Sequence, residues 1–277
     1  MNIKADFHSH TTSSDGKLDP KFLVQLAKKE GLNFLSITDH DTTAGIEPAI
    51  LESKNLNIRF IPGIELSTIY NDESIHILGY FRDDSYKNRN FQNFLVEMQN
   101  FRIYRAKKFI INLEKFFNIK IDYKEVSKNT KGVIARPHLA KAIIDKGYNY
   151  SWDYIFDKII GKDSPAYVHN KKILLEDGIA LLKDLNAVVV LAHPKLIKKT
   201  PVEEFMKFNF DGIETIYYLN SKEEERKFIN LAKTYNKVIT CGSDFHGNGK
   251  EDTKHGFIGS VESPYNLIKP FLDLINL

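Results

Sequence analysis

The chain has 277 residues, 42% of them hydrophobic and 27% charged, and a formal net charge of +3, which suits one large α/β domain or a barrel carrying an insertion. So small a charge does not argue for nucleic-acid binding over a broad basic surface, and no apolar run approaches the roughly 20 residues that cross a bilayer. Cys241 is the single cysteine, which excludes an intramolecular disulfide, argues against a thiolate metal site and suits a reducing cytoplasm.

In chain order, the start at Met1 lacks a basic segment followed by an apolar core and a small-residue cleavage site, so no secretory signal is expected and the mature chain is expected to begin near Met1. Short apolar runs at 3–7, 33–38, 58–63, 75–80, 187–191, 212–216 and 238–241 have the look of buried strands. Helical patterns fall between them at 20–29, 43–53, 174–185, 221–235 and 266–274. The alternation predicts a parallel sheet or barrel built from 1–80 and 167–277. From 81 to 166 the rhythm breaks. A long amphipathic segment with Phe91, Leu95, Met98, Phe109, Leu113 and Phe116, then two shorter helices, reads as a helical insertion capping the open end of the barrel. Arg102, Arg105, Lys107 and Lys108 on its first helix read as a solvated face.

The histidines and acids fall where these strands end. Asp6, His8 and His10 alternate along the first strand and its exit, so a side-chain period of two aims them at one face. Asp39, His40 and Asp41 follow the second strand and Glu65 the third. His76 lies within the fourth, His193 follows the strand at 187–191, and Asp244 and His246 follow the last. In a barrel of parallel strands those ends converge on one rim. Taken singly, His76 reads as a hydrogen-bonded core residue, Asp6, Asp39 and Glu214 as strand-end caps, and Asp15 before Gly16 as a turn. Taken together, His8, His10, His40, Glu65, His193, Asp244 and His246 make the bland reading poor. His169 and His255 lie outside any motif. So many imidazoles and carboxylates exceed one tetrahedral site, and the mixture suits manganese, iron or zinc better than magnesium. Clustered ions polarise phosphoryl oxygens and acidify a shared water, so hydrolysis is the economical chemistry.

His8-Ser-His10, Ser14-Asp15-Gly16, Thr38-Asp39-His40-Asp41, Gly63-Ile-Glu65, Leu191-Ala-His193-Pro and Gly242-Ser-Asp244-Phe-His246-Gly resemble, in order, the motifs of the PHP (polymerase and histidinol phosphatase) family. Ala135-Arg136-Pro-His138-Leu-Ala and Pro165-Ala-Tyr-Val resemble its nucleotide- and RNA-directed phosphoesterases. The resemblance implies a distorted (β/α)7 TIM-like barrel and three divalent metal ions, with Mn expected and Fe or Zn as alternatives. His8, His10, Glu65 and Asp244 would hold one ion, Glu65 with His76 and His193 a second, and Asp15, His40 and His246 a third. Arg136 and His138 would face the substrate phosphate, a task that suits a planar guanidinium. Asn186-Ala187, where relatives often carry a glycine pair, and Val168-His-Asn-Lys after the tyrosine depart from the pattern without touching a ligand motif.

The expected activity is therefore hydrolysis of nucleotide phosphate esters, 3′,5′-bisphosphates or monophosphates, or of the 5′ ends of short RNA. The expected partners exclude membranes and large duplexes. Histidinol-phosphate phosphatase and a non-catalytic metal-binding accessory module are the alternatives. The first is disfavoured by the arginine-proline-histidine insertion and the second by the filled ligand positions.

Overall fold

A computed structural model describes residues 3–128, 134, 136–169, 171, 173–249, 252–262 and 264–276. Ala135 and Asn170, which belong to motifs named above, lie outside the described residues, as does Met1. The chain forms two compact units, Met1–Gln92 with Lys172–Leu277, and Asn93–Lys171.

The strands are β1 (Ala5–Asp6), β2 (Phe34–Ile37), β3 (Arg59–Tyr70), β4 (Glu73–Phe81), β5 (Ile173–Leu174), β6 (Ala187–Leu191), β7 (Gly212–Tyr217) and β8 (Val238–Gly242). The helices are α1 (Pro20–Lys29), α2 (Ile46–Leu56), α3 (Arg89–Phe117), α4 (Tyr123–Lys128), α5 (Arg136–Asp145), α6 (Trp152–Tyr154), α7 (Leu175–Asp184), α8 (Val202–Phe205), α9 (Lys222–Thr234) and α10 (Tyr265–Leu274). In the first unit the strands run in the order β1-β2-β3-β4-β6-β7-β8, with β5 paired beside β3. Backbone bonds from Phe7 N to Cys241 O (3.0 Å), Asp244 N to His8 O (2.9 Å) and His10 N to Phe245 O (2.8 Å) join the first strand to the last. The sheet thus closes into a seven-stranded, TIM-like barrel.

One expectation of an all-parallel barrel fails. β4 is antiparallel to both β3 and β6. The cause is local: Asn71 and Asp72 adopt left-handed backbone (φ 47° and 56°), which makes a tight hairpin whose twist matches the flanking strands. β3 accordingly runs on to Tyr70 instead of ending near Gly63. The reversal brings the N-terminal half of β4 to the rim where the parallel strands finish.

Period-two alternation fills the barrel. Phe7, Ile61, Leu78, Tyr80, Val188 and Val190 form the interior with Phe271 and Leu272 of α10. Phe271 meets the rings of Phe7 and Tyr80 edge-on, each at 4.9 Å between centroids. Glu65 is four residues beyond Ile61, and His76 two before Leu78, so each shares the inward face of its strand. Helices pack outside. α1 begins at Pro20 behind Asp19, whose carboxylate accepts from Lys21 N (3.0 Å).

The second unit has its own core of Phe109, Leu113, Ile119, Leu139, Ile143, Ile155 and Ile159. α6 runs into a π turn, Ile155–Ile159, closed by Ile160 N to Ile155 O at 2.8 Å. Arg105 leaves the expected solvated row: its Nε donates to Val168 O (2.7 Å) and its guanidinium lies over Phe109 and Tyr167. Among the described residues, no helix is long and apolar enough to cross a membrane.

Candidate metal centre

Glu65 is fully buried and its two oxygens face different imidazoles. Oε1 lies 2.8 Å from His76 Nδ1 and 2.9 Å from His193 Nε2. Oε2 lies 3.2 Å from His8 Nε2, 3.1 Å from His10 Nε2 and 3.1 Å from His40 Nδ1. Asp244 Oδ1 adds a second carboxylate to His8 (3.4 Å) and His10 (3.1 Å). Asp15 is the more exposed acid, 3.3 Å from His246 Nε2, 3.7 Å from His10 Nδ1 and 3.8 Å from His40 Nε2.

Ligand-type atoms therefore fall into overlapping groups, each within 4.8 Å: His8, His10, Glu65 and Asp244; His40, Glu65 and His76; His10, Asp15, His40 and His246; Asp244, His246 and His255. All nine residues expected at metals, His8, His10, Asp15, His40, Glu65, His76, His193, Asp244 and His246, are brought together at this rim. Arg136 and His138 lie on α5 in the second unit, both half-buried, with the Arg136 guanidinium 5.9 Å from the centre of the Phe156 ring.

Backbone conformation does part of the aiming. His193 (φ 26°) and Asp244 (φ 56°) both sit in the left-handed region directly after their strands, strain that costs about 1–3 kcal/mol at a non-glycine residue. Behind the rim, buried carboxylates orient the imidazoles. Glu214 Oε1 lies 3.0 Å from His8 Nδ1, and its Oε2 accepts from His193 N at 2.7 Å. Asp39 accepts from Thr11 N, Thr11 Oγ1 and Ser14 Oγ, and Asp6 from Ser243 N and Gly259 N. The Tyr217 hydroxyl donates to Asp244 Oδ2 (3.1 Å). Gly242 leaves the space: a Cβ there would overlap His8 Cβ and Glu214 Oε1.

Asp6, Asp39 and Glu214, read from sequence as strand-end caps, are thus buried supports of the site. Glu214 was detectable as the lone charge in the apolar run Gly212-Ile-Glu-Thr-Ile. His255 carried no comparable signal. Its ring lies 4.0 Å from that of His246, tilted by 30°, with its Nδ1 2.8 Å from Asp252 Oδ2.

The electrostatics fit cations. Burial opposes the charge on Glu65, yet His40, His8 and His76 hold it well below the ordinary carboxylate range. Asp244 is likewise held low by His8 and His10 against burial. Burial also opposes a proton on His8, but Glu214, Glu65 and Asp244 outweigh it and push the imidazole well above its ordinary value. His10 is raised to about 10 against the same burial, by Asp244 and Glu65. For His40 burial wins, lowering it to about 3. His8 Nε2, both His10 ring nitrogens, His40 Nδ1 and Glu65 Oε2 are buried without a hydrogen bond. Native proteins rarely gather such orphans in one place. Divalent cations fit this donor set, satisfying the lone pairs and replacing the protons that the carboxylates draw in.

Comparison with known proteins agrees with this geometry. A 5′-3′ exoribonuclease, Rnm, of Escherichia coli is 32% identical over 87% of this chain and 84% of its own. A 3′,5′-nucleoside bisphosphate phosphatase of Chromobacterium violaceum is 26% identical over 90% of each. A solved structure from Bifidobacterium adolescentis, named as a candidate metal-dependent phosphoesterase, superposes with a TM-score of 0.80 at 26% identity over 99% of this chain and 97% of that one. The family model described as the PHP domain matches residues 6–160. By that match and by its likeness to the exoribonuclease across most of both sequences, the chain belongs to the PHP domain family.

Proposed function

We propose that the protein is a metal-dependent phosphoesterase that hydrolyses nucleotide phosphate esters, 3′,5′-bisphosphates or monophosphates, or the 5′ ends of short RNA. One observation carries the reading: the buried Glu65 divides its two oxygens between two sets of imidazoles, which is what a carboxylate bridging two cations requires. Three ions are proposed, Mn in the first place and Fe or Zn as alternatives. His8, His10, Glu65 and Asp244 hold one, Glu65, His76 and His193 the second, and Asp15, His40 and His246 the third. Such ions supply positive charge that polarises phosphoryl oxygens and acidifies water.

The chain's own residues hold and orient. Glu214 fixes the His8 ring with Nε2 towards the centre and pins the backbone at His193. Tyr217 and the left-handed turn at Asp244 set that carboxylate. Arg136 and His138 are assigned to the substrate phosphate, supported by the motif they occupy. The lone, buried Cys241 supports a reducing, cytoplasmic setting.

A substrate panel with Mn-loaded protein tests the proposal: a nucleoside 5′-monophosphate, a 3′,5′-bisphosphate, a 5′-phosphorylated oligoribonucleotide and histidinol phosphate. Release of phosphate or mononucleotide from the first three supports it. Turnover of histidinol phosphate alone would replace it, and no turnover of any would leave a metal-binding module.

A further inference from the structure

In the second unit, the run Tyr148-Asn-Tyr150-Ser-Trp152-Asp-Tyr154-Ile-Phe156 carries an aromatic residue at every second position. Ser151 caps its helical turn by accepting from Tyr154 N (3.2 Å). Packing against the unit's core is done by Ile155, Ile159 and Ile160 with Tyr148 and Phe156 beside them, whereas Tyr150, Trp152 and Tyr154 take no part in that cluster. Tyr150, Trp152 and Tyr154 remain 37%, 45% and 48% exposed. From 144 to 158 the exposed apolar side chains are Ile144 and these three aromatics.

The rings are ordered against one another. Tyr150 and Tyr154 stack at 5.4 Å with 11° between their planes, and Trp152 lies 5.2 Å from Phe156 at 31°. Phe156 in turn carries the Arg136 guanidinium at 5.9 Å. A cation, a half-buried ring and an exposed indole therefore follow one another in a ladder. Lys158 and Lys162 are exposed in the same stretch, offset by the exposed Asp153, Asp157 and Asp163, so the rings and the Arg136 guanidinium carry the feature rather than net charge.

We propose that Tyr150, Trp152 and Tyr154 form a stacking platform for the bases of single-stranded RNA, a reading that rests on the proposed phosphoesterase function. Every base has a π face, so flat rings beside a guanidinium bind a strand without reading its sequence. A duplex keeps those faces stacked inside itself and offers none.

Trp152 is the chain's only tryptophan, so fluorescence excited at the red edge of the indole band, beyond tyrosine absorption, reports on this position alone. Full-length protein in EDTA, where the strand stays intact, is titrated with a 5′-phosphorylated hexaribonucleotide and, separately, with inorganic polyphosphate of similar length. Saturable quenching by the RNA and not by polyphosphate is expected. Tyr154→Ala should raise Kd by about fivefold to a hundredfold, the scale of one lost stacking contact. With a labelled strand followed by anisotropy, Trp152→Phe should bind and Trp152→Ala should lose affinity, circular dichroism verifying that each variant is folded. No quenching by RNA, equal quenching by polyphosphate, or wild-type affinity in Trp152→Ala would each overturn the platform. Phosphate release from a small bisphosphate by the Mn-loaded protein is scored in parallel. Release without quenching overturns the platform and leaves the enzyme, whereas quenching without any release overturns the enzymatic reading instead.

Discussion

Replacing Glu214 by Gln isolates the support of the metal centre from the centre itself. The wild-type carboxylate accepts from His193 N at 2.7 Å and lies 3.0 Å from His8 Nδ1. His8 turns Nε2 towards Glu65 and Asp244, so a metal-ligating His8 carries its proton on Nδ1 and both partners of Glu214 are donors. An amide has one accepting oxygen and one donating nitrogen, so one of the two bonds must become donor against donor. A buried donor left unsatisfied costs roughly 1–3 kcal/mol, about fivefold to 150-fold in an equilibrium constant. Mn affinity, measured by competition with a chelator at fixed pH, should weaken by about tenfold to a hundredfold, the scale for losing the partner that orients a metal-ligating histidine. The metal-free protein loses the same acceptor, since protonated His8 and the His193 amide both donate to Glu214 there too, so its thermal midpoint should fall as well. Unchanged Mn affinity in Glu214→Gln would refute the assignment of this carboxylate as the support of His8.

Elemental analysis after manganese reconstitution should find more than one ion per chain, and Glu65→Gln should lower both occupancy and turnover; one ion or fewer in the wild type would sink the multinuclear reading. Mn uptake near pH 7 should release protons, because His8 is held well above its ordinary value and His10 at about 10, so both are protonated before binding. Affinity therefore rises with pH through that range, which calorimetry in buffers of different ionisation enthalpy measures; uptake without proton release contradicts the charge balance given for the site. Arg136→Ala should lower kcat/KM about tenfold to a hundredfold, on the scale of a lost charge-assisted contact of roughly 1.5–3 kcal/mol, with metal content unchanged; a lowered melting temperature with normal kinetics would make Arg136 a packing residue on Phe156. Phe271→Ala, which empties the floor of the barrel between Phe7 and Tyr80, should cost about 3–5 kcal/mol in denaturant unfolding; a loss below about 1 kcal/mol would show that α10 does not close the core.

Much of the architecture was legible because local rules and the fold agree. The spacing 20–29 matches α1 residue for residue, since Asp19 and Pro20 mark its start and Gly31 its end. Each apolar run falls on a strand, because a barrel wall buries both faces, although β1 keeps only Ala5–Asp6 of 3–7 and β3 continues past 63 to Tyr70. α2 begins three residues later than its helical pattern, at Ile46, because the Thr43–Ala–Gly45 stretch closes as a turn through Ile46 N to Thr43 O (3.1 Å). The direction of β4 was not legible. Its hairpin uses Asn71-Asp72 without the glycine that usually advertises such a turn, and a buried strand reads the same in either direction.

The sequence by itself determined which residue types gather after each strand, and so the expectation of a multi-ion site, because ligand chemistry is carried by side-chain identity. Tertiary structure decided how they divide. His76, taken alone a core histidine, reaches the rim only because β4 runs backwards. Glu214 turns from a presumed cap into the support of His8 and His193. His255 lies beside His246, a placement that no periodicity encodes. The physical reason is the same in each case: a strand or helix repeats every few residues and can be read from neighbours, whereas the partner of a buried charge is chosen by closure of the barrel, which brings together positions up to 253 residues apart.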